Sequence, residues 1–214
     1  PQHLRLLSGK APPIGCLPDA LRHFDRKQLL LHRPPNSIFA HSFLSKTVSY
    51  TRGAKTMICK DNTHLPDHMR VAIIGAGPAG LGVARVLRDL AIPDVWVLER
   101  GKVGQSFLNW PSGTKLLTPS FAGNVFGMTD LNAISFDSSP GWSLRREHPD
   151  GLAYAQYLEH AAVAFGINVQ CGVEAQSILP EGEGFALVTN HGQFTADFVI
   201  WACGQFSAPS DGAP

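Results

Sequence analysis

The hydrophobic and polar positions of the chain are most regular in residues 71–99. A short apolar run, Val71–Ile74, has the length of a buried strand, and the residues up to Leu90 place apolar side chains at helical spacing. A second apolar run, Val95–Leu98, follows and ends at Glu99. The pattern predicts a strand, a helix and a second strand, which together form the βαβ unit of a parallel sheet.

The chain after residue 150 shows a different pattern. Leu152–Phe165 has apolar side chains on one side at helical spacing and is followed by Gly166, which predicts a helix with Tyr154 and Tyr157 in the core. Short strands are predicted at Ile167–Gln170 and Glu174–Leu179, a hairpin at Phe185–Thr189 and Gln193–Thr195, and a buried parallel strand at Phe198–Ala202. Together these elements predict an α/β fold.

Glycines fill the turn between the first strand and the helix. The turn reads Gly75-Ala76-Gly77-Pro78-Ala79-Gly80, the spacing of a dinucleotide-binding fingerprint. In that fingerprint the first glycine allows a tight turn, the second lets the backbone approach a pyrophosphate, and the third lets the helix pack close to the strand. The helix N-terminus adds N–H groups and a positive dipole end that favour phosphates.

Glu99 ends the second strand, roughly the ~20 residues after the glycine turn at which the fingerprint expects an acid. Its carboxylate can accept both hydroxyls of an adenosine ribose and would repel a 2′-phosphate. The alternative is a tight turn in an α/β protein that binds no nucleotide, but such a turn needs no acid at this position. The combination favours a dinucleotide site.

Charge is distributed unevenly along the 214 residues. Residues 1–68 hold ten Lys and Arg against four Asp, a net charge of +6, whereas residues 69–214 hold eight against thirteen acids, a net charge of −5. The four cysteines have no CxxC spacing and the histidines no metal-ligand spacing, so we expect no metal site. Few, scattered cysteines fit a reducing, cytoplasmic location, and no apolar run reaches the ~20 residues of a membrane span.

Residues 1–68 show no sustained hydrophobic period. Three interpretations are open: a cleaved targeting segment, a basic tail for an anionic partner, or a stretch that does not belong to the domain. The third, or plain disorder, is favoured because Met69 stands directly before the first strand, where a compact enzyme could begin. We therefore expect a basic, irregular extension at 1–68 and the folded domain at 69–214.

The stretch Gly101–Pro149 is long, irregular and rich in Gly, Ser and Pro, yet aromatic residues occur throughout it. Loops of this length in compact domains are usually functional. Composition leaves two alternatives equally open, because the aromatic side chains could pack over a small core of their own or form a wall around a planar ring. They are Phe107, Trp110, Phe121, Phe126, Phe136 and Trp142.

With these motifs in order, residues 69–209 resemble the FAD-binding half of flavoproteins that have two dinucleotide-binding domains. Flavin-containing and Baeyer–Villiger-type monooxygenases and their thioredoxin-reductase-like relatives are the most similar. Three segments carry the resemblance. Gly75–Ala84 with Leu98–Gly101 is similar to the ADP-binding unit, Gly104–Pro111 to the Gly-Gly-Thr-Trp…Tyr-Pro segment that passes the flavin, and Phe198–Gly204 with Pro209 to the Ala-Thr-Gly strand that closes the FAD site.

The resemblance implies a Rossmann-like FAD/NAD(P)-binding domain with a parallel sheet, a β-meander insertion and a long irregular loop. It also implies that FAD is the cofactor, that NADPH or NADH reduces it, and that the reduced flavin passes electrons to oxygen or to a disulfide. It assigns no catalytic residue. The expected cofactor-binding residues are Gly75, Ala76, Gly77, Pro78, Ala79, Gly80, Glu99 and Arg100 for the ADP part, Ala175 against the adenine, Gly104, Gln105, Ser106 and Trp110 near the flavin, and Ala202, Cys203 and Gly204 at the closing strand.

The sequence departs from the family pattern inside these segments. Gln105 replaces the second glycine, Phe107 replaces tryptophan, and Cys203 replaces threonine. Ser106 and Phe107 stand where disulfide reductases carry a redox cysteine pair, so dithiol chemistry is not supported. Cys203 ends an apolar strand and is interpreted as structural. The family's second GxGxxG unit, for NADPH, is not found, so we expect a chain truncated before that domain and an enzyme that could be inactive in this form.

Three functions remain as hypotheses. The favoured one is the FAD-binding portion of an NAD(P)H-dependent, monooxygenase-like oxidoreductase with a small-molecule substrate, no nucleic-acid partner and a homo-oligomer as one option. The second is a non-catalytic flavin- or nucleotide-binding module that acts with a partner chain. The third is a single-domain NAD-binding protein, for which Glu99 is equally suitable. The aromatic loop and the Cys203-Gly204 strand end argue against the third, because a plain NAD domain needs neither.

Overall fold

The computed structural model of the protein describes residues 65–121 and 130–204. The expectations for residues 1–64, for Phe126 and for Pro209 lie outside these ranges. Strand β1 begins at His68, and the preceding Leu65 is buried in the core. The division of the chain at Met69 stays a prediction.

The predicted βαβ unit is present at the expected place. It consists of β1 (His68–Ile74), α1 (Pro78–Asp89) and β2 (Val95–Glu99). Two short helices follow in the loop region, and a longer helix and the remaining strands complete the described chain. They are α2 (Gln105–Leu108), α3 (Pro140–Leu144), α4 (Gly151–Ala164), β3 (Val169–Cys171), β4 (Ala175–Glu181), β5 (Gly184–Thr189) and β6 (Gly192–Trp201).

The described strands form one sheet in the order β3-β2-β1-β6-β5-β4. Strand β1 pairs in parallel with β2 and with β6, and β2 pairs in parallel with β3. Strands β4, β5 and β6 pair antiparallel as a meander. This confirms the predicted α/β class with a parallel sheet and a β-meander insertion.

Strand β6 differs from its prediction in two respects. The two expected strands, Gln193–Thr195 and Phe198–Ala202, are one continuous strand that is antiparallel to β5 and parallel to β1. Burial of the second run was also predicted wrongly, because Phe198 is 48% exposed and Trp201 is 51% exposed. The described helix α1 packs against β1 and β2, so the end of β6 does not have the same helical cover.

The parallel strands bury side chains on both faces. Val71 and Ile73 of β1 lie in one core cluster with Leu81 of α1 and Leu158 of α4. Ala72 and Ile74, which alternate with them, lie in a second cluster with Leu187 and Phe194 of the meander. Because side chains alternate along a strand, the single apolar run of β1 supplies both cores.

Helix α4 holds a loop segment through its two tyrosines. Tyr157 Oη accepts a hydrogen bond from Ile134 N at 2.9 Å and is 2.7 Å from Ser138 Oγ. Tyr154 Oη donates to the Asn132 carbonyl at 2.7 Å. Both tyrosines are almost fully buried, as predicted, and burial is the main reason why the pKa of each is raised. We call residues 130–141 the tyrosine-held segment.

The aromatic residues of the long loop do not behave alike. Phe107 packs against Trp110 and Tyr154, with ring centroids 4.9 and 4.7 Å apart respectively. In contrast, Phe136 is 94% exposed and Phe121 is 54% exposed. The first part of the loop therefore packs onto the main core beside α4, whereas Phe121 and Phe136 are exposed to solvent.

Candidate dinucleotide-binding site

Two glycines of the turn between β1 and α1 are required by the protein itself. Gly75 has φ +109°, and a Cβ at this position would lie 2.6 Å from the carbonyl oxygen of Ala202. A Cβ at Gly80 would lie 2.0 Å from the carbonyl oxygen of Gly75. Backbone atoms cannot yield as a flexible side chain can, so a larger residue at either position would force the turn open. We call residues 75–80 the phosphate turn.

The fold itself does not require a glycine at the middle position of the phosphate turn. Gly77 has φ −85°, which any residue adopts, and no atom lies within 4 Å of the Cβ that a larger residue would carry. The space beside its backbone is open. A dinucleotide pyrophosphate requires open backbone of this kind, which a Cβ would fill, so the turn fits the cofactor predicted from the sequence.

The N-terminus of α1 is arranged for an anion. Gly77 is the N-cap residue, no side chain caps the helix, and the first turn contains no acidic residue. Pro78 has no N–H group, and Leu81 N donates to the Gly77 carbonyl at 3.0 Å. The N–H groups of Ala79 and Gly80 precede this bond, at the positive end of the helix dipole. A phosphate placed here would be bound by backbone donors alone.

Glu99 lies directly beside the phosphate turn. Its Oε2 accepts a hydrogen bond from Ala76 N and its Oε1 accepts one from Gly101 N, each at 2.8 Å. The predicted acid is therefore at the turn, but it already bonds the backbone. Each carboxylate oxygen has a second lone pair, so two ribose hydroxyls can still be accepted. The Arg100 side chain lies beside Glu174, with Nη1 3.9 Å from Glu174 Oε1.

The second predicted segment reaches the turn through Gly104. Gly104 N donates to the Ala76 carbonyl at 3.0 Å. Its φ is +68°, and a Cβ there would lie 3.1 Å from Ala155 of α4, so glycine fits both the conformation and the space. Gln105 folds back locally, because Oε1 accepts from Lys102 N at 3.1 Å and Nε2 donates to Asn109 Oδ1 at 2.9 Å.

The last predicted segment lies against the first glycine. Ala202 N donates to the Ile74 carbonyl at 2.8 Å, and the Cys203 thiol is 3.5 Å from the same oxygen. Burial raises the pKa of Cys203, the nearby Glu99 carboxylate raises it further, and Arg100 partly offsets this. A thiol with a raised pKa is a poor nucleophile, which agrees with the structural role predicted for Cys203.

The structure thus brings most of the predicted residues together but not all of them. Val173 N donates to the Glu99 carbonyl at 3.0 Å, which places the start of β4, with Ala175, near the acid. Within the described residues, no hydrogen bond joins Ser106 or Trp110 to the phosphate turn. Ser106 is exposed, and Trp110 packs on Phe107.

One contact that sequence reasoning missed is the bond from Gly101 N to Glu99. The sequence contains no clear signal for this bond. A Cβ at Gly101 would lie 2.8 Å from Gln105 Oε1, a side-chain atom that can move, so the bond does not by itself require a glycine. An apolar groove of about 500 Å³ also runs along α1 from Pro78 to Leu87 and was not predicted.

Two other kinds of site are absent from the described part of the chain. It contains no group of three or more His, Cys, Asp and Glu side chains that could hold a metal ion. None of its helices is both long enough and apolar enough to span a membrane.

The fold and the phosphate turn define an α/β dinucleotide-binding protein, and the comparison with known families agrees. The family described as pyridine nucleotide-disulphide oxidoreductase matches residues 72–213, so the chain belongs to this family. This confirms the resemblance that the sequence motifs indicated.

The chain is similar to two curated proteins. It is 29% identical over 142 residues to an uncharacterized CzcO-like oxidoreductase of Geobacillus kaustophilus, covering 65% of this chain and 37% of that protein. It is 32% identical over 154 residues to a Baeyer-Villiger monooxygenase of Streptomyces coelicolor, covering 70% and 28% respectively. The chain therefore spans only about a third of the length of the curated relatives that it matches.

Solved structures share the fold. The bacillithiol disulfide reductase YpdA of Staphylococcus aureus has a TM-score of 0.51 at 20% identity, over 65% of this chain and 39% of that chain. An oxidized steroid monooxygenase bound to NADP has a TM-score of 0.50 at 19% identity, over 68% and 28%. At this identity the likeness concerns the fold alone.

Proposed function

We propose that this chain is the FAD-binding portion of an NAD(P)H-dependent flavoprotein oxidoreductase of monooxygenase type. One observation carries the proposal. Gly75 and Gly80 are required by the protein's own backbone, whereas Gly77 borders open space and has an ordinary φ. Gly77 is thus a glycine that the fold does not require, between two that it does require. A ligand pyrophosphate that must lie close to the protein backbone accounts for it.

Different residues of the site bind different parts of the ligand. The N–H groups of Gly77, Ala79 and Gly80 bind the pyrophosphate, and Glu99 binds the ribose. Arg100, the next residue in the chain, is included in the ADP part of the site. These residues would hold FAD, which would supply the redox chemistry of hydride uptake from NADPH or NADH. The further residues proposed for the site are Ala76 and Pro78 in the turn, Ala175 at the adenine, Gly104, Gln105, Ser106 and Trp110 on the flavin side, and Ala202, Cys203 and Gly204 at the closing strand.

Monooxygenase-type chemistry is preferred to dithiol chemistry for this chain. Ser106 and Phe107 supply no thiol in the segment where a disulfide reductase carries its cysteine pair. The name of the Baeyer-Villiger relative, at 32% identity, supports the same choice. We further propose a small-molecule substrate and a cytoplasmic location, with the homo-oligomer left as an option for gel filtration to decide.

The test is the visible absorption spectrum of the purified 214-residue chain, before and after incubation with FAD and gel filtration. We expect a flavin spectrum that stays with the protein. A folded chain that remains colourless after incubation contradicts the proposal, and tight NAD binding by that chain would establish the single-domain alternative. Anaerobic addition of NADPH to the flavin-loaded chain then tests the binding-module alternative, because bleaching of the flavin by this chain alone would rule that alternative out.

A further inference from the structure

We propose that Glu99 is a positioning residue for the phosphate turn, in addition to any contact with a ribose. The proposal rests on the proposed dinucleotide site. We call the two hydrogen bonds from Ala76 N and Gly101 N to the Glu99 carboxylate the Glu99 tie. The Glu99 tie joins the turn to the start of the long loop.

The backbone N–H of Ala76 has no solvent to bond if it loses its bond to Glu99. Ala76 is fully buried, with 0% of its surface exposed. Its carbonyl accepts from Gly104 N at 3.0 Å, and its N–H donates to Glu99 Oε2 at 2.8 Å. Without the carboxylate, this N–H would be buried with no acceptor, which is a rare and costly state. The peptide plane between Gly75 and Ala76 is therefore held by the side chain of Glu99.

The orientation of Ala76 matters for the ligand because Gly77 follows it directly. The open space beside Gly77 and the N–H groups of Ala79 and Gly80 all depend on the path of the chain through Ala76. Bonds from N–H groups to a carboxylate are stronger than those between neutral groups, so the tie is well suited to fix this path. Preorganised donors bind an anion better than donors that must first be ordered.

The charge of Glu99 and the tie act on phosphate in opposite directions. A carboxylate beside the phosphate turn repels an anionic pyrophosphate by Coulomb's law. If charge alone mattered, removing it would strengthen pyrophosphate binding. If the tie dominates, removing it weakens the binding of pyrophosphate even though this ligand has no ribose for Glu99 to bind. Inorganic pyrophosphate therefore separates positioning from ribose recognition.

The experiment measures inorganic pyrophosphate binding to the full chain by calorimetry. We expect Glu99→Gln, which keeps only one acceptor, and Glu99→Asp, which keeps the charge but is too short for both bonds, to bind about tenfold more weakly than the wild type. Glu174→Gln is the matched control, because it removes an equal charge near Arg100 without touching the turn. Its affinity should be unchanged or slightly higher. Unchanged or tighter binding by both Glu99 variants overturns the proposal.

Amide hydrogen exchange gives a second, ligand-free measurement. We expect Ala76 and Gly101 to be protected in the wild type and to exchange roughly tenfold faster or more in either variant. Gly75, whose N–H donates to the Leu98 carbonyl at 2.8 Å, is the internal reference. If Glu99→Gln does not fold, Glu99→Asp and the wild-type exchange rates decide, and unprotected Ala76 and Gly101 amides in the wild type overturn the proposal.

The experiments distinguish rejection of the Glu99 tie from rejection of the proposed FAD-binding function. A wild-type chain that takes up FAD, with variants that keep their pyrophosphate affinity and exchange rates, rejects only the Glu99 tie. A folded wild type that binds neither FAD nor pyrophosphate rejects the dinucleotide site, whatever the exchange rates show.

Discussion

The phosphate turn and the tyrosine-held segment are both irregular in backbone, yet different forces hold them. In the turn, glycines allow backbone to approach backbone, as where Gly80 faces the Gly75 carbonyl. In the tyrosine-held segment, side chains from α4 hold the loop by hydrogen bonds to Ile134 N and the Asn132 carbonyl. In both regions a bonding partner lies about twenty residues further along the chain, Glu99 for the turn and α4 for the segment. The turn is in addition limited by close backbone approach at Gly75 and Gly80.

Gly80→Ala should have the largest effect. The new Cβ would lie 2.0 Å from the Gly75 carbonyl oxygen, so backbone must move. We expect the free energy of unfolding to fall by about 3 kcal/mol or more, measured by urea denaturation. Gly77→Ala, in the same turn, is the control, because its Cβ would meet no atom within 4 Å and its φ is ordinary. A loss below about 1 kcal/mol for Gly80→Ala would show that the turn yields more easily than its geometry indicates.

Gly77→Ala should affect the cofactor and leave the fold intact. Because φ is −85° and no atom lies within 4 Å of the new Cβ, we expect the free energy of unfolding to change by less than about 1 kcal/mol. The Cβ would occupy the space proposed for the pyrophosphate, so FAD affinity should fall roughly tenfold or more, measured by flavin fluorescence titration. Gly82→Ala should keep its FAD affinity. Full FAD affinity in Gly77→Ala would remove the main support for the proposed function.

Tyr157→Phe should have the smallest effect and the opposite signature. Loss of the hydroxyl leaves the half-buried Ile134 N–H without its acceptor, so we expect a loss of about 1 kcal/mol in the free energy of unfolding. FAD affinity should change little, because the segment does not touch the phosphate turn through any described hydrogen bond. A fall in FAD affinity as large as that of Gly77→Ala would mean that the two regions are not independent.

The same variant also has a pH signature. Burial, the largest cause, raises the pKa of Tyr157 above the value of 10.0 that it has in the unfolded chain. The stabilisation is therefore complete below pH 10 and is lost as pH rises above it, because the unfolded tyrosine ionises first. Tyr157→Phe should make the free energy of unfolding less steeply dependent on pH in this range.

The sequence predicted those parts of the molecule in which a residue's role is local. The βαβ unit follows from apolar runs, and Gly75, Gly80 and Glu99 lie where the fingerprint expects them. The tie between Glu99 and Gly101 was not predicted, because a carboxylate gives no sign in sequence of which N–H it will accept. The exposure of Phe198 was missed for a similar reason, since an apolar run shows what a strand can bury and not what covers it.

The continuous strand β6 has a consequence for how the length of this chain can change in evolution. Its first part is in register with β5, and its end places Ala202 against Gly75. One residue inserted within β6 would move that end by about 3.4 Å and turn each following side chain to the other face. At Gly182, between β4 and β5, a Cβ would meet nothing within 4 Å, so extra residues there lengthen a loop and leave the register intact. Related chains should accordingly vary in length at the β4–β5 turn and keep a fixed spacing from Gly192 to Gly204.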